Sequence, residues 1–300
     1  MSISGSDVGA RQDPGGAHEF KPSAALRIFG EQLDFDLISR GLAIQPSDTH
    51  RKGETGLGGR RFTHDLWSVK APVDRKERLD KHLLLLSQML EPHYPFLSSL
   101  KGQAQLRSFC GIIADGHDCA FRLSPEALRI FTLLHIDMEL SLIFLCLDTE
   151  APPLETVPEA PGLGELNAER QQFRKESKLS MRITAPTSEL KRACEVIGLP
   201  SSRLQLQSQA PLSGVTRGFD VWTLTCPLPL TDELDSHLRW LGGILLGHSE
   251  YLRSLKPQAD MLVLCDFLTE SDTGGVDISP EALKLCTEID IPLEVNAALI

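Results

Sequence analysis

The residues best suited to chemistry crowd into one stretch, "HRKGETGLGGRRF" at positions 50–62. It gathers the cations Arg51, Lys52, Arg60 and Arg61 around Gly53 and Glu54. Cations set among glycines can offer charge and backbone N–H groups to a phosphate or carboxylate. No G-K-[ST] follows, so the stretch is not a P-loop, and it is not a dinucleotide fingerprint. A solvated hairpin connection explains the same composition. Trp67 comes next and could pack on a sheet or stack on a ligand. Arg51, Lys52, Gly53, Glu54, Arg60, Arg61 and Trp67 are therefore the expected site for a small anionic ligand, phosphorylated or carboxylated.

Other chemistry-bearing residues point less far. His82 and His237 each sit in L-D-x-H-L among leucines. No nucleophile or carboxylate can be placed beside either, so both are expected as partly buried structural histidines. "ADGHDCAF" gathers Asp115, His117, Asp118 and Cys119, but at no zinc or calcium spacing, and is expected as a polar loop. No catalytic residue, metal ligand or cofactor is expected. The seven cysteines include Cys110, Cys119, Cys146 and Cys265; none forms C-x-x-C and most lie in apolar runs. They are expected as reduced thiols of a cytoplasmic protein.

The elements that must position these residues occur twice. "LSPEALR" at 123–129 returns as "ISPEALK" at 278–284, 155 residues later. At that same offset Trp67 falls on Trp222, "LDKHL" on "LDSHL", and "LSSLKGQA" on "LRSLKPQA". "RGL" at 40–42 and "IGL" at 197–199 match at 157 instead, which suggests a small insertion in the second copy. Two homologous domains are expected at 24–148 and 179–300, after a disordered tail over 1–23. Between them, 149–178 reads as a Pro/Gly/Glu linker ending in a short helix, "ELNAERQQFRKES".

In the first copy, strands are expected in "ALRIFG", "HDLWSVKA", "QLRSFCGIIA" and "MELSLIFLCL". Helices are expected in "LDFDLISRGL", ending at the Gly of "RGL", in the long leucine-rich stretch that breaks near Pro92 and Pro95, and in "SPEALRIFTLLHI". Ser124 and Ser279 are expected N-caps, each followed by Pro at the first helical position. The alternation predicts an α+β protein: two tandem ferredoxin-like sandwiches, each a roughly four-stranded sheet with about three helices. A fully parallel sheet is the alternative.

The combination "RIFGEQLDFDLISRGLAIQPSDTHRKGE", then Trp67, then "LDKHLLLLSQML" and "LSPEALR…LLHIDMELSLIF" resembles the bacterial domain-of-unknown-function 4279 family. The resemblance covers nearly all of the first copy. The second keeps the Trp, the helix and "SPEAL" but lacks "RKGE". The resemblance implies architecture and a small soluble bacterial protein, and no established chemistry.

Net charge is −11, carried mainly after residue 178. That argues against nucleic acid, and no apolar run suits a membrane span. The expectation is a cytoplasmic, non-enzymatic protein-binding module, immunity-type or regulatory, whose protein partner could be basic. The alternative is a binder of, or enzyme acting on, a small anionic ligand through the Arg51–Arg61 loop. An intramolecular pseudo-dimer of the two repeats is compatible with either.

Overall fold

The computed structural model describes residues 20–56, 59, 61–145, 174–198, 203–205 and 219–300. The first copy runs β1 (Phe20–Gly30), α1 (Phe35–Leu42), β2 (Asp48–His50), β3 (Asp65–Lys70), α2 (Leu79–Leu90), α3 (Tyr94–Leu100), β4 (Gln105–Asp115), β5 (Asp118–Leu123), α4 (Pro125–Leu134) and β6 (Asp137–Leu145). The second repeats it as β7 (Lys175–Pro186), α5 (Thr187–Ile197), β8 (Arg203–Gln205), β9 (Phe219–Thr225), α6 (Leu234–Leu245), α7 (Ser249–Leu255), β10 (Asp260–Thr269), β11 (Thr273–Ile278), α8 (Pro280–Ile289) and β12 (Leu293–Leu299). A single 3-10 turn at Glu91–His93, holding Pro92, separates α2 from α3. The second copy makes the same turn at Leu246–His248 without a proline, so Pro92 is compatible with the bend and does not cause it.

Period-two burial builds the sheets. Along β4, Leu106, Cys110, Ile112 and Ala114 are buried while their neighbours are half-buried. One row thus faces the helices and the other the open side. Buried residues of both copies form one continuous core, in which α4 packs on α8, α2 on α4 and α6 on α8.

Sheet topology corrects the four-stranded ferredoxin-like expectation. Among the described residues each sheet has six strands, in the orders β11-β6-β4-β1-β3-β2 and β5-β12-β10-β7-β9-β8. A ferredoxin-like split βαβ unit needs another strand between its two parallel strands. Here the parallel partners β4 and β6, joined through α4, lie side by side. The remaining pairs of that sheet are antiparallel, so it is not fully parallel either.

The two copies exchange a strand. Only Gly116 and His117 separate β4 from β5, yet the two do not pair. Gly116 takes φ 124, a conformation L side chains rarely adopt, and β5 leaves for the other sheet. There it pairs antiparallel with β12, Leu123 opposite Leu293. β11 returns the exchange on β6, Ile278 opposite Met138.

Several boundaries differ from expectation. "ADGHDCAF" holds the turn into β5 and four of that strand's six residues, not only a polar loop. β1 begins at Phe20, inside the expected tail, because Phe20–Ser23 continue the ladder to Ala114–Gly111. β7 begins at Lys175, so the last residues of the expected short helix are strand; residues 165–173 lie outside the described residues. Among the described residues each copy has four helices rather than about three. The offset of 157 also fails. α1 ends on Ala43 and α5 on Gly198, both left-handed C-caps and 155 apart, so no insertion separates them. Gly41 is not the helix end. It lies inside α1 under Phe96, where an added Cβ would stand 2.3 Å from the ring.

Candidate binding cleft

Of the expected site residues, most serve the scaffold. Asp65, at the start of β3 and 4% exposed, is the hub. Its Oδ1 accepts the Lys52 N–H at 2.7 Å, and its Oδ2 accepts the Leu33 N–H and Arg51 Nη1, both at 2.9 Å. Arg51 also donates to the Leu33 carbonyl at 2.5 Å and lies over the Phe35 ring, 3.6 Å from its centroid. The Lys52 N–H, ahead of Leu33 and Arg51, holds the Asp65 carboxyl below its ordinary range against the opposing effect of burial. Glu54 accepts the Arg51 N–H at 2.8 Å, Gly53 takes φ 86 to close the turn, and the Lys52 ammonium pairs with Glu31. Arg61 is exposed and bridges Thr55 across the hairpin; Arg60 lies outside the described residues. The "RKGE" turn therefore wraps a buried carboxylate, which sequence could not reveal because Asp65 stands outside the turn itself.

Trp67 does not reach this loop's surface. It is fully buried and donates to the Ser39 hydroxyl at 3.1 Å. Its repeat, Trp222, is equally buried, and Cys194 replaces the serine. The Trp222 indole N–H leans on the Cys194 sulfur without a full hydrogen bond.

His82 and His237 are buried on α2 and α6. The His237 Nε2 donates to the Pro229 carbonyl at 3.1 Å. Burial pushes His82 down, partly offset by the backbone carbonyls of Asp74 and Glu77. Burial likewise pushes the Cys110 and Cys286 thiols up to about 12 and Cys119 to about 11, far from the thiolate form a nucleophile needs. Among the described residues no three His, Cys, Asp or Glu side chains gather as a metal site. Among them, too, no helix is long and apolar enough to cross a membrane.

A concavity lies elsewhere, where the copies meet. A cleft of about 960 Å³ opens between the start of α2, β5 and the start of α4 on one side, and β10, β12 and the end of α8 on the other. The same two-part cap holds the start of α4, at the cleft, and the start of α8, away from it. The Ser124 hydroxyl caps α4 by accepting the Ala127 N–H at 3.2 Å, and Ser279 caps α8 through Ala282 at 3.2 Å. Asp80 of α2 accepts the Ser124 N–H at 2.6 Å, and Asp235 of α6 accepts the Ser279 N–H at 2.7 Å. Serine capping was legible in the sequence; the supporting aspartates, 44 residues away, were not.

Charge on the cleft wall is different in kind. Lys76, Arg78 and Arg122 line it, exposed, and make no ion pair among the described residues. At the offset of 155 their counterparts are Thr231, Glu233 and Asp277. The wall's carboxylates are partly engaged: Asp80 by Ser124, Glu77 by Lys81 at 2.6 Å, and Asp290 by Lys256.

Duplicated α+β copies, completed by exchanged strands and enclosing a charged cleft, define the class of protein. The chain belongs to the family described as Domain of unknown function (DUF4279), which it matches over residues 18–145 and 202–299. A search of the curated proteins finds no match.

Proposed function

We propose that this chain is a non-enzymatic protein-binding module that receives its partner in the cleft between the copies. The observation that carries the reading is a set of exposed cations on the first copy's wall of that cleft that the second copy does not share. Positions that hold the fold, such as Asp80/Asp235, Ser124/Ser279 and Trp67/Trp222, keep their residue type in both copies. Lys76, Arg78 and Arg122 do not, and the second copy folds with a threonine and two acids in their places. Unpaired cations that the architecture does not require are what a partner surface would retain. An immunity-type or regulatory protein, acting by occupying another macromolecule, fits such a module.

The test is affinity capture from the native host with the full chain, beside the double variant Arg78→Glu/Arg122→Asp. The wild type should retain one protein in stoichiometric amount, and the variant should lose it. A wild-type chain that elutes alone overturns the reading, as does a partner held equally by both.

A further inference from the structure

β5 is the end strand of its sheet, and the ladder shows which backbone groups its outer edge leaves open. The Leu299 N–H donates to the His117 carbonyl at 2.7 Å, which fixes the alternation. Residues 119, 121 and 123 direct their backbone groups at β12, and Asp118, Ala120 and Arg122 direct theirs outward. Among the described residues no other group bonds the backbone of Ala120 or Arg122. Four consecutive residues, Cys119–Arg122, line the cleft. A wall built by one face of a strand would use alternate residues, so open space follows this edge.

The other sheet ends are guarded. β2 and β8 are three residues long, too short to template much pairing. β11 is as long as β5 and has the same alternation, set by the Phe144 N–H donating to the Asp272 carbonyl. Its outward carbonyl at Gly275, the counterpart of Ala120, is taken by the Lys175 ammonium at 3.2 Å. The first copy carries Phe20 at the position of Lys175, so it has no ammonium there to plug β5.

Charge indicates what the open edge fits. Asp118 and Arg122 are exposed, share one face of the strand with Ala120 between them, and make no ion pair among the described residues. Glu294 of β12 stands opposite Arg122, and even these two do not close into an ion pair. The cleft beside the edge holds four cations against six carboxylates, so it selects neither an acidic nor a basic occupant. A surface of mixed sign can be matched by a second molecule of the same kind.

We infer that β5 pairs edge to edge with β5 of a second molecule of this chain, antiparallel about a two-fold axis at Ala120. Ala120 then faces Ala120, where two small side chains meet, and Asp118 of each molecule faces Arg122 of the other. Asp118, Ala120 and Arg122 all fall at hydrogen-bonded positions, so each outward N–H and C=O finds a partner. Moving the axis one residue either way loses the match, because Arg122 would face Gly116 or Ala120. The contact needs no other protein, so it stands apart from the binding reading above.

Sedimentation of the purified full chain over a concentration series tests the pairing. A monomer–dimer equilibrium is expected, with amide hydrogen exchange at Ala120 and Arg122 slowing as the dimer fills. Asp118→Arg sets like charges opposite each other at both ends, as does Arg122→Asp, and each should weaken the dimer about tenfold. The double variant Asp118→Arg/Arg122→Asp restores opposite charges and should regain most of the loss. Any cost of Arg122→Asp beside Glu294 is common to the single and double variants, so the regain reads the interface alone. Ala120→Pro removes the central donor without touching the ladder to β12 and should weaken the dimer roughly fivefold or more. A chain that stays monomeric at about 0.5 mM overturns the inference, since even a contact of millimolar strength would register there. A dimer indifferent to both charge reversals overturns it too, as does a double variant no tighter than the singles, or dimerisation that leaves the two amides unprotected. A monomeric wild type that still retains a host protein removes the edge pairing and leaves the binding reading intact.

Discussion

Replacing Asp65 by asparagine gives the sharpest test of how the "RKGE" turn is held. The carboxylate receives three donors, Lys52 and Leu33 from the backbone and Arg51 from its side chain. Asparagine offers one acceptor oxygen, so its NH2 must face at least one N–H. The variant loses one or two bonds to a charged acceptor, each worth about 1.5–3 kcal/mol, and strips Arg51 of its buried counter-charge. The expected cost is about 3 kcal/mol. Asp220 is the internal control. It occupies the same position, is equally buried, and has the Thr187 hydroxyl as its partner. That hydroxyl can donate to an amide oxygen just as well, so Asp220→Asn should cost about 1 kcal/mol or less. Urea unfolding of the full-length variants, compared at constant m, reads the difference directly. A cost for Asp65→Asn below about 0.5 kcal/mol, or equal costs at the two sites, would refute the reasoning. The sign with pH is also set. The folded Asp65 is held below its ordinary value of 3.8, so its contribution is complete above that value. It is lost as pH falls through the folded value, and the asparagine variant should show a shallower acid destabilisation over that range.

Other outcomes follow from the same packing. Cys194→Ser gives the Trp222 indole the acceptor that Ser39 gives Trp67, and should stabilise the chain by about 0.5–1 kcal/mol; Ser39→Ala should cost about 1 kcal/mol. Denaturation midpoints moving the other way would show that these indoles need no partner. Gly41→Ala forces a methyl against Phe96 and should cost about 1–3 kcal/mol, recovered in part by adding Phe96→Leu. No rescue in the double-mutant cycle would place the strain elsewhere. Co-expressed as separate fragments, 1–158 and 159–300, the copies should elute as one complex in gel filtration, since each sheet holds a strand of the other; separate elution would contradict the exchange.

Much of the architecture was legible from the repeat. Trp67/Trp222 and Ser124/Ser279 mark the same places in both copies, and hydrophobic periodicity locates the long strands and helices around them. What escaped was decided by partners distant in sequence. "DCAFRL" and "TGGVDI" lack a strong strand pattern and become strands because β12 and β6 offer them a ladder. The order of strands in each sheet is likewise a long-range matter. At the expected site, glycines and cations read as a ligand loop because the carboxylate they enclose lies 13 residues past Lys52. Gly41 read as a helix terminator because nothing local betrays Phe96.

The exchange also sets a timetable for the growing chain. β6 ends at Leu145, but the strand that covers its edge is not made until Ile278. At ribosomal speeds of about 5–20 residues per second, the nascent first copy carries an open strand edge for roughly 7–27 seconds. During that interval its first half is exposed to unwanted pairing with neighbouring nascent chains. A message cut short before codon 273 would leave that half permanently unfinished, so a strand translated late governs the soundness of the first copy.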